Sequence, residues 1–308
     1  MKDSRPIILL LLLLALSACR SGESVVRMPD GGVIESYEDR RDSVNVLYLS
    51  RLNLALARSG RLVDRAFAYT QAGSQALIPD WGMDPETGAL LSDLYWHVGH
   101  IALAQRFAFE TEVLCDRGHD LDMLRRLVQT NIVYGASEVA LKYISELEKH
   151  PQTREWARAQ RRFLGDDSAV EADPLYGPAR RCVPQEDFIS TVRGVDEDFK
   201  DILRANPERT QAAEYLGVYY LLDCNFEAFE AFVDEFYPSP ALPELRGCFA
   251  EAACFLSELH PLYWKSHGVG EKTYKRYRDF RNRLRNGLSQ EKYRDSYWYY
   301  VMKVNNGQ

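Results

Sequence analysis

LSDLYWHVGHIALAQRFAFETEVLC, residues 91–115, places apolar side chains three or four positions apart on both sides of the turn Val98-Gly99-His100. Side chains at this spacing lie on one face of an α-helix, and a glycine directly after the last periodic residue commonly ends a helix. The stretch therefore predicts two helices joined by a tight turn, which is a helix hairpin.

The hairpin pattern recurs along the chain of 308 residues. Residues 55–72 and 124–149 repeat it around a central glycine, and residues 210–237 repeat it with Asp223-Cys224-Asn225 as the turn. Units of two helices with a period of roughly 34 to 40 residues are typical of tetratricopeptide-like arrays. We therefore predict an all-α fold, built as a tetratricopeptide-like helix-hairpin solenoid.

Two tripeptides indicate where helices begin. Asp84-Pro85-Glu86 and Asn206-Pro207-Glu208 each combine a good N-cap residue with a proline, which is favoured at the first helical position. Helices are therefore predicted to begin at Pro85 and at Pro207.

The first 18 residues have the layout of an export signal, with a charged head, an aliphatic run from Ile7 to Leu16, and a small pair before Cys19. The run forms about 15 Å of helix, half of the hydrocarbon layer, so a permanent membrane span is not expected. Leu16-Ser17-Ala18-Cys19 matches the lipobox of bacterial lipoproteins, which predicts lipidation of Cys19. The alternative is an ordinary signal peptide in which the cysteine is incidental.

The residues after Cys19 predict how the chain is placed and divided. Residues 19–42 are polar and aperiodic, which is typical of a flexible tether. Residues 43–164 are predicted as a helical-repeat array, and residues 188–308 as a second helical-repeat segment with basic, aromatic C-terminal helices. Between them, residues 165–187 contain acidic pairs, prolines and glycines, which predict a linker or a long loop.

Arg20 indicates which of the two membranes would hold the lipid anchor. Lipoproteins that are retained in the inner membrane usually carry aspartate directly after the lipidated cysteine, and this chain carries arginine there. The resemblance to this sorting rule implies a lipid-anchored protein of the cell envelope, in the outer membrane and facing the periplasm.

Charge is distributed unevenly along the chain, whose formal net charge is −7. Residues 19–260 contain 25 basic and 40 acidic residues, whereas residues 261–308 contain 11 and 4. An acidic body repels phosphate, so no nucleic-acid partner is predicted.

The basic residues of the tail are concentrated in YKRYRDFRNRLR, residues 274–285. Helical spacing of its aromatic residues predicts a helix that docks by one face. Its cations either meet the acidic body, as in a capping helix, or contact anionic lipid headgroups or an acidic partner. The candidates for such an anionic-surface contact are Lys275, Arg276, Arg278, Arg283 and Arg285. The aromatic terminus, residues 293–301, either packs inward or forms a protein-binding patch.

The sequence offers little for metal or covalent chemistry. Cys115, Cys182, Cys224, Cys248 and Cys254 follow Cys19 without a CxxC pair, and their disulfide pattern is left open. His97 and His100 are close enough on a helix to share a metal, but no third ligand stands at a typical spacing. Nucleophile, zinc-protease and phosphate-loop motifs are missing as well. We therefore predict no catalytic residues, no metal, no cofactor and no enzyme.

Several segments resemble an uncharacterised family of Bacteroidota proteins. These are the segments Asn53–Ala57, Leu77–Pro79, Tyr95–His100, Ala104–Glu110 and Tyr297–Tyr300. The resemblance implies a helical-repeat soluble region, and it carries no activity. Family members combine such a region with membrane spans, whereas this chain has a lipobox instead.

These observations together predict a membrane-tethered, non-catalytic binding or scaffold protein with a protein or peptide partner in an envelope complex. Its oligomeric state is left open. The predicted partner-binding residues are Tyr95, Trp96, His97, His100, Arg106 and Glu110. One alternative is a glycan-binding lipoprotein of a polysaccharide uptake system, with exposed platforms at Trp81, Trp96, Trp156 and Trp264. The other is an envelope enzyme with a site near His97 and His100.

Overall fold

A computed structural model describes residues 30–38, 45–115, 118–184 and 194–306. These residues form 17 α-helices and no strand, so the predicted all-α class is confirmed for this part of the chain. The arrangement of the hairpins as a solenoid stays a prediction. In chain order the helices are α1 (Asp30–Glu38), α2 (Val46–Arg58), α3 (Leu62–Arg65), α4 (Pro85–Val98), α5 (Ile101–Val113), α6 (Leu121–Val133), α7 (Ser137–Leu147), α8 (Arg154–Gln160), α9 (Asp167–Ala172), α10 (Tyr176–Arg180), α11 (Val195–Ala205), α12 (Thr210–Leu222), α13 (Phe226–Phe236), α14 (Gly247–Leu256), α15 (Tyr263–Ser266), α16 (Glu271–Arg285) and α17 (Tyr297–Asn305).

The helices belong to two compact units. Unit 1 comprises the described residues from 81 to 184, with α4 to α10, and unit 2 combines residues 30–80 with residues 194–306. This division differs from the predicted one, in which residues 43–80 belonged to the same array as residues 81–164.

Unit 1 is built from the hairpins α4–α5 and α6–α7, followed by three short helices. Asp84 caps α4 as predicted, because its Oδ1 accepts a 2.8 Å hydrogen bond from the N–H of Thr87. Gly99 ends the helix with φ of 98°, a left-handed conformation that glycine adopts at no steric cost.

The segment 165–187 differs from the linker or loop that its composition predicts. It contains α9 and α10, and Val170, Tyr176 and Ala179 are buried in one core with α6, α7 and α8. Gly177 permits this packing, because a Cβ atom there would lie 2.3 Å from the carbonyl oxygen of Glu171. Gly177 therefore allows two backbone segments to approach closely. The composition of the segment does not distinguish this role of a glycine from a role in a flexible linker.

Unit 2 joins the start of the described chain to its end. The second helix of the first predicted hairpin, α3, has only four residues and continues into a 3₁₀ turn at Ala66–Ala68. A Cβ atom at Gly247 would lie 2.3 Å from the carbonyl oxygen of Val63, so α3 and α14 approach closely. Phe67 meets the ring of Tyr297 at 4.9 Å in an edge contact. These contacts are the reason that residues 45–80 pack with the C-terminal half.

The helix start predicted at Pro207 is wrong. The N–H of Asn206 donates to the carbonyl of Ile202 at 2.8 Å, so Asn206 closes α11. The next helix, α12, begins three residues later than predicted, at Thr210. The same chemical pattern can therefore end one helix without starting the next.

The N-terminal predictions concern residues that the structure largely leaves undescribed. The signal peptide, Cys19 and most of the tether lie outside the described residues. The predicted tether does include α1, in which Ile34 is buried. None of the described helices combines the length and the apolar character that a membrane crossing requires.

Candidate functional site

Tyr95 and His100, two of the predicted partner-binding residues, lie inside the α4–α5 hairpin. The ring of Tyr95 stacks on Phe107 with centroids 5.6 Å apart, and it meets the ring of His100 at 5.7 Å. His100 is buried, and its Nδ1 accepts a 3.3 Å hydrogen bond from the N–H of Leu103, which caps α5. Both residues therefore support the hairpin, and neither presents its side chain to a partner.

His97 is half-buried on the last turn of α4. Within the described parts of the chain, no group of three or more His, Cys, Asp and Glu residues is arranged to hold a metal ion.

Trp96 faces α6 and is covered by Arg126, whose guanidinium lies 4.5 Å from the ring centroid. Arg126 also donates to the Oδ1 of Asp93 at 3.0 Å. The two side chains of this ion pair are only 10% and 12% exposed, so the pair is a buried one. Trp96 is thus part of the contact between α4 and α6.

Arg106 and Glu110 are the members of the predicted set that face outward. They form a 2.8 Å ion pair one turn apart on α5. Two apolar residues that the sequence analysis did not single out share this side of α5, because Phe109 and Val113 are 53% and 66% exposed. Their spacing could have revealed them, since positions 106, 109 and 113 follow one face of a helix. We refer to Arg106, Phe109, Glu110 and Val113 as the α5 strip.

The four tryptophans that could serve as sugar platforms are half-buried, and each has a neighbour on its ring. Trp81 meets Phe107 at 5.5 Å, and Trp264 stacks on Tyr274 at 4.4 Å. Trp96 lies under Arg126, and Trp156 lies 5.6 Å from the guanidinium of Arg125.

Helix α16 of unit 2 carries the predicted anionic-surface cations, and two of them bond to other residues of unit 2. Arg276 donates to Glu251 at 3.1 Å and to Asp295 at 2.7 Å, with its guanidinium 5.7 Å from the ring centroid of Trp298. Arg283 donates to the carbonyl of Ser289 at 3.0 Å. Lys275, Arg278 and Arg285 are exposed on the same helix. The five predicted cations therefore form two groups. Arg276 and Arg283 bond to other residues of unit 2, and the other three are exposed.

Arg276 and Glu251 also line a cavity of about 340 Å³ in unit 2, together with Asp64, Cys248, Lys272 and Asp295. Sequence reasoning missed this site because its residues come from α3, α14, α16 and the turn before α17. Burial raises the pKa of Glu251 to about 7, although the N–H of Tyr297 and the charge of Arg276 both act to lower it. At neutral pH a carboxyl group with this pKa is present in both its protonated and its ionised form.

The Cys248 thiol in this cavity is not activated as a nucleophile. Burial raises the pKa of the Cys248 thiol well above its ordinary value, and the thiolate is the reactive form of cysteine. No disulfide joins any of the five cysteines that the structure describes. The arrangement can pair charges and hold a proton on Glu251.

The fold and these sites define a protein whose described residues are all-helical, with an outward strip on α5 and outward cations on α16. Residues 31–304 match the model of a family of unknown function, DUF6057. The chain belongs to this family, and the match covers both units. No curated protein and no solved structure matches the chain.

Proposed function

We propose that this protein is a lipid-anchored, non-catalytic binding protein of the bacterial cell envelope, which captures a protein partner through the α5 strip. The anchor is the acylated Cys19, held in the outer membrane and facing the periplasm. The hairpins form a tetratricopeptide-like array that presents the strip.

The observation that carries the proposal is the exposure of Phe109 and Val113, which are 53% and 66% exposed on a helix whose other face is buried. Apolar side chains four positions apart on one exposed face are typical of a helix that enters an apolar groove of another protein. The neighbouring Arg106 and Glu110 add one charge of each sign, which favours a partner with a mixed polar rim.

A protein partner fits the strip better than a glycan does. Sugar-binding sites use aromatic rings with an open face, and the four candidate tryptophans are half-buried with a neighbour on each ring. Catalysis near His97 and His100 is also disfavoured, because His100 is buried and uses its Nδ1 to cap α5.

The partner is tested by crosslinking in the native envelope. A photo-crosslinking residue in place of Phe109 should give an adduct with one defined protein, and the same residue in place of Glu138, which is exposed on α7, should not. The double variant Phe109→Ser/Val113→Ser should lose that partner on co-purification. Val139→Ser/Leu141→Ser, which removes two exposed apolar side chains from α7, is the matched control and should retain it. Equal capture by both double variants would contradict the proposal.

The anchor is tested separately. Mass spectrometry of the protein from its own host should find residues 1–18 removed and Cys19 acylated. The variant Cys19→Ser should leave the membrane fraction. An unmodified Cys19 would exclude the anchor while leaving the α5 strip to be judged on its own experiment.

A further inference from the structure

Helix α16 separates its aromatic and basic residues onto opposite sides. Tyr277 and Phe280 are buried, whereas Lys275, Arg278 and Arg285 are exposed. On a helix of 3.6 residues per turn these three cations fall on the side away from the two buried rings. The helix therefore docks by its aromatic side and presents positive charge outward.

Two of the outward cations are available to a ligand outside the chain. Arg278 and Arg285 form no ion pair with any other residue that the structure describes. Lys275 pairs with Glu271 at 3.2 Å, but both side chains are about 70% exposed, and such pairs contribute little and exchange readily.

Two exposed leucines lie near the C-terminal end of α16, one at the end of the helix and one in the turn that follows the outward cations. Leu284 is 41% exposed and Leu288 is 51% exposed, on either side of Arg285 and the end of the helix. Leucines beside cations are typical of surfaces that lie in the headgroup region of a bilayer, where the apolar side chains enter and the cations meet phosphate. We refer to Lys275, Arg278 and Arg285, with Leu288 in the turn after the helix, as the basic face. Leu284, four positions after Phe280, lies at the exposed end of the aromatic side instead.

We propose that the basic face lies on anionic phospholipid headgroups of the membrane that anchors the chain. The proposed anchor would bring such a membrane close to unit 2. The eleven residue-to-residue steps from Cys19 to Asp30 span at most about 38 Å. Helix α1, which begins at Asp30, and α16 belong to the same unit. A lipid on Cys19 would therefore keep unit 2 close to a bilayer.

Proximity of unit 2 to a bilayer depends on the proposed anchor, whereas binding by the basic face can be tested without it. The protein for the test is the chain from residue 19 onward with Cys19→Ser, so that no acyl chain contributes to binding. It is mixed with vesicles of phosphatidylcholine alone or of phosphatidylcholine with phosphatidylglycerol, and the bound fraction is measured by co-sedimentation.

The expected result is binding to the vesicles that contain phosphatidylglycerol, with little binding to neutral vesicles. Added salt should weaken this binding. Three cations near an anionic surface strengthen binding by roughly a hundredfold at low salt, so Lys275→Gln/Arg278→Gln/Arg285→Gln should lower the partition coefficient by about tenfold or more. Leu288→Ser should lower it too, and the part of the binding that resists salt should be lost.

The matched control is Lys142→Gln/Arg154→Gln/Arg158→Gln, which removes one exposed lysine and two exposed arginines from α7 and α8 of unit 1. Circular dichroism must show unchanged helix content in every variant that is compared. Equal losses in the two triple variants, or equal binding to neutral vesicles, would overturn the proposal. Binding to a poly-glutamate peptide with no binding to anionic vesicles would also overturn it, in favour of an acidic protein partner.

Discussion

The Oε2 atom of Glu251 accepts a 2.7 Å hydrogen bond from the backbone N–H of Tyr297, the first residue of α17. The backbone carbonyl of the same glutamate accepts a 2.8 Å hydrogen bond from the indole Nε1 of Trp298. One residue of α14 therefore holds the first turn of α17 by its side chain and by its backbone. Tyr297 and Trp298 are almost completely buried, so the aromatic terminus packs inward at these two positions.

Glu251 should make stability depend on pH. Burial raises its pKa to about 7 in the folded chain from 4.5, so the folded state binds this proton more tightly than the unfolded state does. The stabilisation is fully present below about pH 4.5 and is lost as the pH rises through about 7, and it amounts to about 3 kcal/mol at most. Glu251→Gln cannot titrate, so its stability relative to the natural chain should rise between these values.

The measurement is the free energy of unfolding in urea at about pH 5 and about pH 8, for the natural chain and for Glu251→Gln. Other groups also titrate in this range, but they are shared by both proteins and cancel in the difference. A difference between the two proteins that stays constant with pH would show that Glu251 does not carry the effect.

Two ion pairs of unit 1, one buried and one exposed, should differ in their contribution to stability. Asp93 and Arg126 are 10–12% exposed, so Asp93→Ala leaves a buried guanidinium without this carboxylate and should cost about 3 kcal/mol. Arg106 and Glu110 are 45% and 30% exposed, and Glu110→Ala should cost less than about 1 kcal/mol. Urea denaturation of the two single variants measures both losses. Similar losses in the two variants would contradict the assignment of the first pair as the buried one.

Hairpins were the part of the fold that the sequence predicted best. The helices α4 and α5, α6 and α7, and α12 and α13 lie where apolar spacing places them, because this spacing reports which face of a helix is buried. It does not report which other helix covers that face. The packing of residues 45–80 with α12, α14 and α17 therefore could not be predicted, since it depends on contacts between residues more than 100 positions apart.

The candidate sites were predictable only in part, for a related reason. Consecutive residues on a helix point about 100° apart, so the dense run from Tyr95 to His100 cannot face one partner. The ring of Tyr95 packs inside the α4–α5 hairpin, and the ring of Trp96 packs against Arg126. The hydrogen bond from Arg276 to Glu251 was equally unpredictable, because the basic run gives no indication of which cations meet an acid from another helix.

Close packing of α4 on α5 gives a last prediction. A Cβ atom at Gly88 would lie 2.3 Å from the Oγ1 of Thr111 and 2.7 Å from the ring of Trp81. Alanine in a helix interior usually stabilises relative to glycine by about 1 kcal/mol, but here overpacking should outweigh this gain and destabilise unit 1 by about 1–3 kcal/mol. Hydrogen exchange of the amides of α4 and α5 should therefore become faster in Gly88→Ala.

The control is Gly31→Ala on α1, where no atom of the described residues lies within 4 Å of the added Cβ position. Only the helix preference acts at that site, so this variant should be neutral or more stable by roughly 0.5–1 kcal/mol. Because both substitutions add one methyl group to a helical glycine, a difference of sign between them isolates the contact with Thr111 and Trp81. Stabilisation by Gly88→Ala would mean that α4 and α5 are farther apart in solution than this geometry requires.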